Sequence, residues 1–173
     1  TGVITSANIL DGTVTPTDLA QPLTRGTAVA STSGTAIDFT SIPSWAKRIT
    51  IVCQGVSLSG VGYLLLQLGT ASSIENTGYT STSSNFVGNV SSTSGYASAA
   101  GGGAAFLFDV IWTIINVTGN VWIATNTGQH AATYQLLGSG SKTLAAALTR
   151  VRLTTSTGTD TFDAGFVNIL YEG

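Results

Sequence analysis

The side chains able to do acid–base or nucleophilic chemistry in this chain of 173 residues are few: one histidine, one cysteine, six Lys+Arg and eight Asp+Glu. His130, the sole imidazole, is the centre around which any Ser-His-acid arrangement must be built, and no Gly-x-Ser-x-Gly elbow accompanies it. It falls in Gly128-Gln129-His130-Ala131, a turn-like stretch ahead of a strand, where an exposed or hydrogen-bonded loop histidine is the default. Cleavage of a glycosidic bond needs two carboxylates straddling it. Asp160 and Asp163 form the only local pair, and their odd spacing puts them on opposite faces of a regular strand, or in a polar turn. Glu75 and Glu172, with Asp38 and Asp109, are further acids that folding would have to bring together.

Other motifs fail on their own terms. Gly138-Ser139-Gly140-Ser141-Lys142-Thr143 looks like a phosphate loop, but the positions requiring glycine hold Ser141 and Leu136. Asp11-Gly12 lacks the acidic neighbours of a calcium loop, and a lone cysteine has no partners for a metal or a disulfide. No metal and no cofactor is expected, nor any catalytic residue. Cys53, in phase with Ile49 and Ile51, reads as a small core side chain. The sequons at Asn89-Val90-Ser91 and Asn116-Val117-Thr118 are common by chance where 28 Thr and 19 Ser occur.

The remaining chemistry is surface recognition. Tyr79 in Thr77-Gly78-Tyr79-Thr80 and Tyr96 in Ser94-Gly95-Tyr96-Ala97 sit among Gly and Ser, where rings can stack on sugars or anchor a protein. Two readings stay open for them: exposed receptor contacts, or caps on the core. With His130 they are the candidate receptor-binding residues, and Gly95–Ala104, free of charge, is the candidate variable tip.

The elements that must position these groups are all β. A net charge of −2 gives no basic footprint for nucleic acid, and no apolar run is long enough to span a membrane. Hydrophobic residues still make up 43%, enough for a packed core, and the absence of methionine suggests a fragment or processed product. Residues 1–26, with Pro16 and Pro22 and scattered apolar side chains, read as an extended connector needing a partner surface; residues 27–173 form the domain. Within it, strands are expected at 27–31, 36–40, 47–58, 63–68, 74–80, 85–91, 105–117, 121–126, 132–137, 148–156 and 162–171, with turns at Ser33-Gly34 and Gly119-Asn120. Such spacing suggests an antiparallel two-sheet sandwich of jelly-roll type. The run Phe106–Ile115 is apolar on both faces, so it is expected to be covered on both, by a second sheet or by another subunit.

One block carries a likeness. Ala36-Ile37-Asp38-Phe39-Thr40-Ser41-Ile42-Pro43-Ser44-Trp45-Ala46-Lys47-Arg48-Ile49-Thr50-Ile51, continuing through Gly55-Val56-Ser57 to Leu66-Gln67-Leu68-Gly69, resembles a sequence common in tail-fibre and other tail proteins of tailed bacteriophages. Ile4-Thr5-Ser6-Ala7-Asn8-Ile9-Leu10-Asp11-Gly12-Thr13-Val14 is similar to the segment leading into the distal domain of such fibres. The resemblance implies an extracellular virion appendage, a homotrimer joined to the rest of the tail fibre. Its distal domain would bind lipopolysaccharide, capsule or an outer-membrane protein of the bacterial host, without enzymatic activity, nucleic acid or membrane insertion. An enzymatic tailspike that cleaves surface polysaccharide, using Asp160, Asp163, Glu75 or Glu172, and a purely structural fibre module are the alternatives. Trimerisation would account for the doubly apolar strand and for the coreless connector.

Overall fold

Alternation between apolar and hydroxylated residues builds strands here in the near-absence of charge. The structure is a computed structural model that describes residues 21–98, 102–131 and 133–173. Its described residues contain thirteen strands and no helix: β1 (Thr24–Arg25), β2 (Val29–Ala30), β3 (Ala36–Phe39), β4 (Arg48–Leu58), β5 (Leu64–Gly69), β6 (Tyr79–Ser84), β7 (Asn89–Ser92), β8 (Tyr96–Ala97), β9 (Phe108–Thr118), β10 (Val121–His130), β11 (Tyr134–Thr143), β12 (Arg150–Thr155) and β13 (Phe162–Glu172).

They form two antiparallel sheets. The larger has nine strands and runs β1-β13-β4-β9-β10-β11-β6-β7, with β2 also pairing β13; the smaller has four, in the order β3-β12-β5-β8. Ile49, Ile51, Phe108, Val110, Trp112 and Ile114 project from the large sheet onto Leu64, Leu66, Leu68, Val151 and Leu153 of the small one, and all are fully buried. Each such side chain contributes on the order of 1.5–3 kcal/mol by leaving water. The all-β, two-sheet expectation is met.

Cys53 lies in this core, where burial pushes its thiol well above the ordinary range. Native protein is therefore expected to resist a thiol-specific reagent such as a maleimide, and to react stoichiometrically once unfolded. Rapid labelling of the folded state would refute that placement.

Four expectations differ from the structure in instructive ways. The stretches 127–130 and 138–143 are strand, not loop: β10 and β11 pair continuously from Val121↔Thr143 to His130↔Tyr134. Gly138 and Gly140 face inward, where a Cβ would meet the Asn126 amide at 2.5 Å and the Thr80 carbonyl at 2.4 Å, so ladder pairing on both sides outweighs low propensity. Tyr96–Ala97, at the start of the expected loop tip, is a short edge strand, and residues 99–101 of that tip lie outside the described residues. The strand expected over 74–80 begins only at Tyr79, and Ile74 makes an isolated bridge to Gly69. Most of the expected connector, residues 1–20, lies outside the described residues, whereas its end, Thr24–Arg25, is already paired with Tyr171 and Leu170.

Two facing irregularities shape one end of the large sheet. The β4–β9 and β13–β4 registers shift near Gly55 (φ 61°) and Gly165 (φ 97°). A Cβ on Gly165 would stand 2.4 Å from the Gly55 carbonyl oxygen, so both the left-handed backbone and the close approach require glycine. The Gly55 N–H is turned onto the Asp109 carboxylate (2.7 Å), which fixes that side chain on β9.

Candidate functional site

The three residues singled out for recognition are all inside. Tyr79 and Tyr96 meet edge to face at 5.1 Å between ring centroids, and burial raises the pKa of both phenols. The Tyr79 hydroxyl accepts the Leu68 N–H (2.6 Å) and donates to the Glu75 carbonyl (2.9 Å); the Tyr96 hydroxyl donates to the Trp122 carbonyl. Exposed receptor contacts are therefore corrected to core caps, because the alternation of their strands turns both rings into the core, where almost none of their surface is accessible.

His130 is neither exposed nor hydrogen-bonded through its ring. It ends β10 with 1% of its surface accessible, stacked on Phe108 (5.5 Å) and Tyr134 (5.1 Å) and tilted against Phe106 (5.1 Å). Neither ring nitrogen has a partner, and burial lowers its pKa. The alternation of β10 sends Trp122, Ala124, Asn126 and His130 inward together, so as a receptor contact it is likewise corrected.

The acids are tied down one by one. Asp38 forms a two-pronged ion pair with Arg152 (2.7 Å each), whose hydrogen bonds hold its carboxyl below the ordinary range. Glu75 pairs with Lys142 at 2.7 Å, and Glu172 with Arg48 at 3.2 Å. Asp160 accepts the Gly62 N–H (2.7 Å), Asp163 accepts the Ser57 hydroxyl, and Asp109 accepts both the Gly55 N–H and the Gln129 amide. All six described carboxylates thus have a structural partner. Asp160 is tied to the β4–β5 connection and Asp163, on β13, to the neighbouring strand β4. Among the described residues no cluster of His, Cys, Asp or Glu is arranged to hold a metal.

What is open instead is the outer face of the large sheet. Register places Ile115 opposite Ile123, Thr113 opposite Thr125, and Ile111 opposite Thr127, which in turn faces Leu137. Ile111, Ile115, Ile123 and Leu137 are between 46% and 53% exposed, so the strand read as apolar on both faces is covered on one only. Between these apolar positions runs a row of hydroxyls, Thr50–Thr113–Thr125–Ser139–Thr82–Ser91, one per strand, which repeats about every 4.8 Å. Two adjoining hollows of about 290 and 310 Å³ share Thr82 and Ser139 on this face.

Two further features escaped the sequence reading. The β6–β7 turn presents Phe86 (69% exposed) and Val87 on a frame in which the side-chain Oδ1 of Asn85 accepts the Val87 and Gly88 N–H groups. The strand expected over 85–91 is corrected here, since it starts only at Asn89 and Asn85-Phe86-Val87-Gly88 is a polar-framed aromatic turn. At the far end of the face, Ala105, Phe106, Leu107, Asp109, Gln129 and Ala131 line a hollow of about 360 Å³. Nothing in the sequence marks Asp109 and Gln129, which are twenty residues apart and meet only through the β9–β10 register.

Comparison with family models, curated proteins and solved structures gives no match for this chain.

Proposed function

We propose that this chain is a non-enzymatic attachment module: the distal, receptor-binding domain of a tailed-phage fibre, exposed on the virion and directed at the bacterial surface. The observation that carries this reading is the division of labour among side chains. The described acids are consumed in structural ties and the histidine is sealed, while the outer face is aliphatic and hydroxylated and the hollow at its rim stays open to a ligand. That distribution supports recognition over cleavage of polysaccharide, since hydrolysis needs two carboxylates free to meet one bond. The tail-protein-like block at 36–69 supports the source, and the passage of the chain from sheet to sheet at eight of the twelve connections between described strands supports a jelly-roll type of sandwich. The receptor is lipopolysaccharide, capsule or an outer-membrane protein. Labelled protein is expected to bind host cells and to compete with virions for adsorption. Failure to bind any host cell would leave the purely structural module standing, and shortened polysaccharide fragments after incubation would favour the tailspike.

The assembled form in this reading is a homotrimer that covers the outer face. Away from the Asp109–Gln129 end, strands β9, β10 and β11 with their flanks β4 and β6 span roughly 27 Å by 20 Å, or on the order of 540 Å² per copy, close to the lower end of the per-partner area of specific interfaces. Beyond Asp109, which lies at the rim, the outward positions along β9 to β11 and β6 carry no charge, so identical faces meet without like-charge repulsion. Replacing Ile115 and Ile123 together with lysine places two charges side by side there. Light scattering is expected to show a threefold drop in mass with an unchanged circular-dichroism spectrum. A monomer mass for the parent protein at micromolar concentration would overturn the trimer.

A further inference from the structure

The geometry points to the hollow at the end of β9 and β10 as a binding site for a neutral, polyhydroxylated ligand, the pyranose unit of a glycan. This rests on the attachment reading above and gives it a location. The hollow, about 360 Å³, has the size of a small-molecule site, and its walls divide into two kinds. Phe106, Leu107, Ala105 and Ala131 supply the apolar side. The Phe106 ring is backed by His130 at 5.1 Å and lies close to the Gly103 backbone, where a Cβ would stand 3.2 Å from it. Such a surface suits the C–H face of a sugar ring.

The polar side is equally fixed. Asp109 spends one lone pair of Oδ1 on the Gly55 N–H (2.7 Å) and one of Oδ2 on the Gln129 Nε2 (3.2 Å). A carboxylate has about four acceptor positions, so both oxygens can still accept a hydroxyl. Gln129 keeps its carbonyl oxygen and a second N–H. A carboxylate beside a carboxamide matches two neighbouring hydroxyls, one donating to Asp109 while the other accepts from Gln129. Gly128 makes the juxtaposition possible, because a Cβ there would stand 2.1 Å from the Asp109 carbonyl oxygen and force β9 and β10 apart.

The same walls exclude other ligands. A hydrocarbon would strip water from Asp109 and replace nothing. An anion would meet a carboxylate with no cation lining the hollow. The site stands roughly 20 Å along β9 from Ile115, at the rim of the face assigned to assembly.

The test uses the assembled protein and the methyl glycosides of glucose, galactose and mannose as probes, followed by nuclear magnetic resonance of 15N-labelled amides. Saturable shifts centred on Leu107, Asp109, Gln129 and Ala131 are expected for at least one probe, with Kd on the order of 1 mM and little dependence on salt. Gln129→Ala, a change of an exposed side chain, is expected to weaken that binding about tenfold with the fold's spectrum intact. Asp109→Asn serves as a second variant, with Tm measured beside it because Asp109 also holds Gly55. No saturable shift from any probe, shifts centred on Ile123 and Ser139 instead, or binding unaffected by Gln129→Ala would each overturn the site. Host-cell binding separates the two readings. Cells bound equally by parent and Gln129→Ala protein would sink the site and leave attachment standing, whereas glycoside binding without cell binding would do the reverse.

Discussion

Replacing Glu75 with glutamine is expected to cost about 3 kcal/mol of stability, a fall in Tm on the order of 6–12 °C for a domain of this size. The cause is Lys142, which β11 turns inward. Its side chain is only 7% exposed, and its ammonium meets the Glu75 carboxylate at 2.7 Å and the Thr77 carbonyl at 2.9 Å, and lies over the Tyr79 ring at 5.3 Å. Glutamine keeps the shape but leaves that charge without its counter-ion. Removing one partner of a buried pair costs roughly 3–5 kcal/mol, and water reaching the Glu75 side chain places this case at the lower end. The exposed Arg48–Glu172 pair is the control, and Glu172→Gln should change Tm very little.

The pH dependence follows from the same knot. Burial raises the Glu75 carboxyl, but the Lys142 hydrogen bond, the Ala145 N–H (2.9 Å) and the lysine charge outweigh it and bring the pKa below the ordinary 4.5. A carboxyl depressed in the folded state stabilises above its unfolded pKa, and that contribution disappears as pH falls through the folded value. Chemical denaturation of the parent protein should therefore show a loss below about pH 4.5 that the Glu75→Gln variant lacks. An unchanged Tm at neutral pH would show that Lys142 finds another partner. Glu75 was also a candidate acid for polysaccharide cleavage, so lost activity in this variant would report unfolding unless stability were measured beside it.

The knot also marks how far the sequence could be read. Strands with strict alternation, such as Arg150-Val151-Arg152-Leu153 and Ile49-Thr50-Ile51, were legible because period two separates the buried face from the wet one without outside help. Gly138-Ser139-Gly140-Ser141-Lys142-Thr143 was not, since its propensity says loop. It becomes a strand because β10 and β6 pair on both sides, and because Asn126 and Ser83 at Gly138, and Thr80 and Ser81 at Gly140, occupy the space a side chain would need. The site was hidden for a related reason. Tyr79 and Tyr96 carry the conspicuous chemistry and lie among turn residues, yet their alternation phase points them inward. Asp109 and Gln129 look like ordinary solvated residues until the ladder sets them side by side.

His130→Phe is expected to stabilise the protein by about 1–2 kcal/mol, a direction that few core substitutions take. The parent imidazole is sealed among Phe106, Phe108 and Tyr134 with both nitrogens unpartnered, so folding strips them of water and returns no hydrogen bond. Phenylalanine removes both polar atoms while keeping a flat ring for the stack. Its larger size strains the packing somewhat, which is why the gain stays below the full cost of two unsatisfied groups. The pH arm is diagnostic. Burial lowers the folded pKa of His130 below 6.5, so between those values the unfolded chain binds a proton that the folded chain refuses. Parent stability must then decline as pH drops below about 6.5, well above the window in which Glu75 acts, and the decline must be absent in His130→Phe. No charged side chain is among the rings packed on His130, leaving desolvation as the physical origin of the slope. A parent protein equally stable from pH 7.5 down to pH 5, or a His130→Phe variant that loses stability, would mean that the imidazole finds a hydrogen-bond partner in the assembled protein.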